Sequence, residues 1–134
     1  MTNGKRPANP VGWFEIYVAE MDRAKDFYED VVGAGFSAAP IAGEGPDAGM
    51  EMLFFDADDS AAGAPGALVR HPMRPPARPG PLAYSSGAAC GAAAARATAR
   101  GSKVYVEKQS IGEMGFIAIV GDSEGNSIGL HSWV

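Results

Sequence analysis

The sequence holds a single cysteine, Cys90, so no internal disulfide can staple the fold. It also lacks any apolar run near the roughly 18 residues that a membrane-crossing helix needs, and the first ten residues contain no hydrophobic leader core. Basic residues are outnumbered, 11 Lys and Arg against 16 Asp and Glu, for a net charge of -5. That average field repels phosphate backbones and anionic membrane surfaces, so neither nucleic acid nor membrane is an expected partner and a cytoplasmic location is. Phosphate-binding loop, H-E-x-x-H helix and dinucleotide glycine fingerprint are all missing, which leaves zinc-protease and nucleotide chemistry without a signal. The run "GDSEGN" (121–126) reads as a hairpin turn, too short for a calcium loop.

What is present suits one globular domain: 134 residues, 46% hydrophobic, with 18 glycines and 10 prolines that imply many turns. After an arm expected to be flexible (1–10), "VGWFEIYV" (11–18) has the aromatic and β-branched content of a strand. Its alternation puts Trp13, Glu15 and Tyr17 on one face and Phe14, Ile16 and Val18 on the other. A helix follows, with Asp22 as its expected cap, Ala24, Phe27, Tyr28, Val31 and Val32 on one stripe, and Gly33 as its stop. Strands are expected over 35–38, 49–55 and 67–71, making a first βαβββ module over 11–72.

Residues 73–81 are too rich in proline for an element and read as a linker. The order then repeats over 82–134: a strand at 82–85, an alanine-rich helix at 88–100 closed by Gly101, and strands at 103–108, 114–120 and 127–134. The expected class is therefore α+β, with two tandem βαβββ modules forming a curved mixed sheet around a central cleft.

Three stretches carry a family likeness: "WFEIYVAEMDRAKDFYEDVVG" (13–33), "QSIGEMGFIAIV" (109–120) and "DSEGNSIGLHS" (122–132). They resemble the vicinal oxygen chelate superfamily of glyoxalase I, bleomycin-resistance proteins and dioxygenases, most of all the subgroup of predicted enzymes related to lactoylglutathione lyase. The resemblance implies homodimers, and in metal-using members four His, Glu or Gln ligands from the first and last strands of each module. Those positions fall here on Trp13, Leu82 and Gly129, with Ala67 or Val69 as the fourth. None offers a side-chain donor to a divalent cation, which generally needs about three protein ligands. No metal site and no cofactor are expected.

Glu15, on the same face as Trp13 and Tyr17, is then the first candidate for chemistry. His131 stands to Gly129 as Glu15 stands to Trp13, and the two are read as a possible acid and base pair meeting in one cleft. Trp13, Tyr17, Phe54 and Phe116 are candidate ligand-binding residues. The leading expectation is a glyoxalase-like protein with a degenerate metal site, binding an aromatic or cationic organic ligand in its cleft. The alternative is a lyase or isomerase acting on a carbonyl compound through Glu15 and His131; a metal-dependent glyoxalase or dioxygenase, with a divalent metal held in a shifted register by those two residues, comes after it.

Overall fold

The computed structural model describes residues 11–38, 48–58, 60–76 and 81–134. The arm over 1–10 and residues 77–80 of the expected linker lie outside the described residues. Strand β1 (Phe14–Tyr17), helix α1 (Met21–Val31) and strands β2 (Phe36–Ala38), β3 (Glu51–Phe55) and β4 (Gly66–Arg70) make the first half. Strand β5 (Tyr84–Ser86), helix α2 (Cys90–Ala99) and strands β6 (Val104–Ser110), β7 (Phe116–Gly121) and β8 (Ser127–Ser132) make the second. Each half is a four-stranded mixed sheet with one helix: β1-β4-β3-β2 and β5-β8-β7-β6, where β1 runs parallel to β4 and β5 parallel to β8. The α+β, two-module expectation holds, as two sheets rather than one.

Period-two alternation sorts each strand. Ile16, Val18, Leu68, Leu53 and Phe55 face α1, whose Ala24, Phe27, Tyr28 and Val31 are buried against them. Ala118, Val120, Ile128 and Leu130 face α2, whose Cys90, Ala93, Ala94 and Ala97 are buried in turn. These residues form one cluster, so the halves share a single core with the two helices in mutual contact. Alanine lets α2 approach closely, while α1 brings the bulk, burying aromatic side chains each worth about 2 kcal/mol or more. The second face of each sheet is turned away from this core.

Helix α1 starts differently from expectation. Asp22 lies inside the first turn, and Glu20 occupies the cap position with no side-chain capping bond. The negative charge at this end comes from the second half: the Glu124 carboxylate accepts the backbone N–H groups of Ala19 and Glu20, both at 2.8 Å, and both arms of Arg23 at 2.7 and 2.9 Å. At the other end, Arg96 of α2 donates to the carbonyls of Asp30 (3.0 Å) and Val31 (2.9 Å). A carboxylate at the N-terminus and a cation at the C-terminus both complement the helix dipole and occupy its orphan backbone groups. Between them, Tyr28 donates its hydroxyl to the buried Asp122 at 2.7 Å, and Asn126 donates to Asp122 and to the Tyr17 carbonyl. The run read as a plain hairpin turn is thus the clamp between the halves.

Burial alone would raise the pKa of Glu124, whose side chain is fully buried, but the Arg23 guanidinium, the two N–H groups and the Ser123 hydroxyl outweigh it and lower the value from 4.5 to about 2. The folded carboxyl holds its proton less tightly than the unfolded one, so this stabilisation is complete above pH 4.5 and disappears as pH falls toward 2. The shift corresponds to on the order of 3 kcal/mol. Glu124→Gln should lower unfolding free energy by about 2–4 kcal/mol in urea titrations at neutral pH, and should flatten the loss of stability between pH 4.5 and 2. Tyr28→Phe, which deletes only the hydroxyl donated to Asp122, should cost about 1–2 kcal/mol in the same assay with no change in secondary structure by circular dichroism.

Candidate functional site

The face of the first sheet that points away from the core carries a row of aromatic and acidic groups set by register. Glu15 pairs with Ala67, which pairs with Phe54; Tyr17 pairs with Val69, which pairs with Met52. Paired residues point to the same side, so β1 contributes Trp13, Glu15 and Tyr17 to this face and β3 contributes Phe54. The Trp13 and Phe54 rings meet edge-on at 5.6 Å, and Trp13 remains 42% exposed.

Glu15 organises the row. Its Oε1 accepts the Tyr17 hydroxyl at 2.7 Å and its Oε2 accepts the Trp13 indole N–H at 3.3 Å. One carboxylate therefore holds two aromatic rings two residues apart on the same strand. Burial, then the hydrogen bond and charge of Glu15, raise the Tyr17 pKa, while the positive charge of Arg74 works the other way. Arg74 comes from the segment after β4, where Arg74 bridges back to His71.

His131 is on the corresponding face of the second sheet, since its neighbours Leu130 and Ser132 point to α2. Its Nε2 lies 2.6 Å from the Met114 carbonyl, and because a carbonyl only accepts, Nε2 carries the proton. Its ring also meets Trp133 edge-on at 5.0 Å. Among the described residues no hydrogen bond or ring contact joins His131 to Glu15. Phe116 does not share the face of Trp13, Tyr17 and Phe54: it pairs with Ser132, packs against the core and lies under the Lys108 ammonium. Its place follows from alternation, because Ala118 and Val120 on the same strand are core residues.

The superfamily's metal positions do not fit a cation. Ala67 and Val69 are buried aliphatic side chains, and Leu82 precedes β5. Gly129 lies beneath the Tyr84 ring so closely that a Cβ there would fall 2.3 Å from a ring carbon. A ligating side chain at 129 and the ring of Tyr84 exclude one another. Nor is there any group of three or more His, Cys, Asp or Glu among the described residues that could hold a metal. A connecting loop after β3 lines a cavity of about 260 Å³ with Asp56 and Asp58, but serine hydroxyls already engage both carboxylates.

Reasoning from sequence missed Arg74, Tyr84 and the trio Asp122, Glu124 and Asn126. Three polar side chains crowded into one short turn are more than a turn needs, and that excess was the available signal. Arg74 had none, because a proline-rich segment carries no periodicity from which to read facing.

No curated protein matches the chain. Among solved structures, it is similar to a glyoxylase/bleomycin resistance protein/dioxygenase domain from Frankia sp. EAN1pec, with 14% identity over 94% of this chain and 98% of that one and a TM-score of 0.67. It is also similar to TnmS3, an antibiotic binding protein from Streptomyces sp. CB03234, at 27% identity, 96% and 98% coverage and a TM-score of 0.60. Glyoxalase I from Zea mays matches at 14% identity and a TM-score of 0.66, with 92% of this chain spanning 46% of the maize protein. A family model covers residues 11–130, from just before β1 into β8, and with the twice-repeated strand, helix and three strands it settles the lineage: the chain belongs to the Glyoxalase/Bleomycin resistance protein/Dioxygenase superfamily.

Proposed function

We propose that the protein is a small-molecule-binding member of its superfamily, and that its ligand is an aromatic organic compound lying on Trp13, Tyr17 and Phe54. The observation that carries this reading is the Glu15 carboxylate, which accepts a hydrogen bond from each of two ring donors and so fixes the platform before any ligand arrives. Rigid aromatic side chains give large contact area at little entropic cost. A likeness at 27% identity to a protein described as antibiotic binding supports the same kind of role.

The sequence alone makes Glu15 a candidate acid or base. Its two oxygens are instead engaged by Trp13 and Tyr17, which favours a positioning role. A lyase or isomerase using Glu15 with His131 would need both free for one substrate, whereas Glu15 is engaged by Trp13 and Tyr17 and His131 by the Met114 carbonyl. Two copies of the chain are proposed to pair through the second sheet, whose exposed Tyr84 ring supports this and leaves Trp13 to the ligand.

Calorimetric titration with a panel of planar aromatic compounds should find micromolar binders. Trp13→Ala should weaken them at least about tenfold. Glu15→Leu, which removes the acceptor shared by the two rings, should weaken them several-fold while the melting temperature stays near that of the wild type. A panel without a binder, or a Trp13→Ala protein that binds as the wild type does, overturns the reading.

A further inference from the structure

Gly129, His131 and Trp133 alternate with the buried Leu130 and Ser132, so they share the outer face of the second sheet. His131 is flanked on that face by its register partners, Ser86 of β5 and Ile117 of β7. The ring planes of His131 and Trp133 stand at 87° with centroids 5.0 Å apart, and Trp133 and Met114 are 64% and 63% exposed. Two perpendicular walls therefore meet at the end of the sheet. They lie further along β8 than Gly129, the residue that the Tyr84 ring covers.

The loop before β7 fixes how His131 is protonated. Within it, the Ile111 N–H donates to the Gly115 carbonyl at 2.8 Å, the Gly115 N–H donates to the Gly112 carbonyl at 3.2 Å, and Gly115 has a φ of +98°. A Cβ at Gly115 would collide with the Ser132 carbonyl, so only glycine lets the loop sit this close to β8. The loop brings the Met114 carbonyl to 2.6 Å from His131 Nε2, which holds the neutral ring's proton on that nitrogen. Nδ1 is then an acceptor. It has no hydrogen-bond partner among the described residues, and none of their buried side-chain nitrogens or oxygens lacks one, so Nδ1 is open to solvent.

We propose that His131, Trp133 and Met114 form a second ligand site, separate from the Trp13 platform, for neutral aromatic compounds that bear a hydroxyl. The ring lies against the Trp133 indole, the hydroxyl donates to Nδ1, and the unbranched thioether of Met114 adapts to the ring's outline. A ring without a donor displaces water from Nδ1 and leaves it unpaired, which costs affinity. A carboxylate brings further lone pairs against that of Nδ1. Among the described residues no carboxylate touches the imidazole to offset the desolvation of an ammonium. The bond to Met114 thus spends one ring nitrogen and aims the other at a ligand.

The chain has two histidines and two tryptophans, so nitrogen-15 spectra of the imidazole and indole groups of the full chain report each site by itself. At pH 8 the ligand-free protein should show His131 protonated on Nε2. Added 2-naphthol should shift His131 Nδ1 and the Trp133 indole along one saturation curve, and should bind there about fivefold more tightly than 2-methoxynaphthalene, which keeps the rings and lacks the donor. Affinities of 2-naphthoate and 2-naphthylmethylammonium for this site should fall below that of 2-naphthol. His131→Phe keeps an aromatic ring and removes the acceptor, and should bring the naphthol-to-methoxynaphthalene ratio, read at Trp133, to about one. Trp133→Ala, made at an exposed side chain, should weaken both ligands alike at His131; melting curves establish that both variants are folded. A ring protonated on Nδ1, equal affinity for 2-naphthol and 2-methoxynaphthalene, preference for the anion or the ammonium, or an unchanged ratio in His131→Phe overturns the proposal. Shifts confined to the Trp13 indole overturn it and leave the aromatic platform standing, whereas shifts confined to His131 and Trp133 support it and count against the platform.

Discussion

The structure depends on how helix α1 is terminated. A helix end leaves backbone donors or acceptors without partners, and α1 meets that need at both ends with side chains from the other half, Glu124 at its start and Arg96 at its finish. The first half cannot complete its own helix, whereas α2 begins on a hydrogen bond from Cys90 N–H to Ser132 within its own half. The Glu124 carboxylate is buried yet fully surrounded by donors, which is the arrangement in which a buried charge holds a structure together instead of opposing it. Tyr28 and Asp122 add a second buried link between the halves, so helix packing and polar clamp reinforce each other.

This construction decides where a ligand can go. With both helices and the inner sheet faces committed to one core, each sheet keeps one face for other purposes. On the first sheet, that face is assembled from local alternation along β1 and cross-strand register to Phe54. Two different kinds of structural rule meet at one place. The strand supplies two rings and the carboxylate that holds them, and the register brings a further ring.

Much of this was legible beforehand. The period-two pattern of β1 separated Trp13, Glu15 and Tyr17 from Phe14, Ile16 and Val18, and the helical stripe through Phe27, Tyr28 and Val31 is the one that became core. The fold order and the family likeness were readable because short, regular elements carry strong periodicity. Facing within β7 was harder: Phe116 opens the strand, and its inward turn follows once Ala118 and Val120 are known as core and Ser132 as its partner. Capping was misread at Asp22 because a cap is a local rule, and here the partner lies about a hundred residues away in sequence. The pairing of Glu15 with ring donors instead of with His131 was equally closed to sequence, since the halves' relative placement follows from the shared core and not from any motif.

Tyr84 and Gly129 constrain one another across the β5–β8 pair. The ring fills the space above the glycine, and the glycine offers no Cβ to push it out. A side chain introduced at 129 alone would be driven into the ring, so any larger residue there has to come together with a smaller or displaced one at 84. The two positions, 45 apart in sequence, therefore behave as one site for substitution, and mutating them singly and together should give effects that do not add.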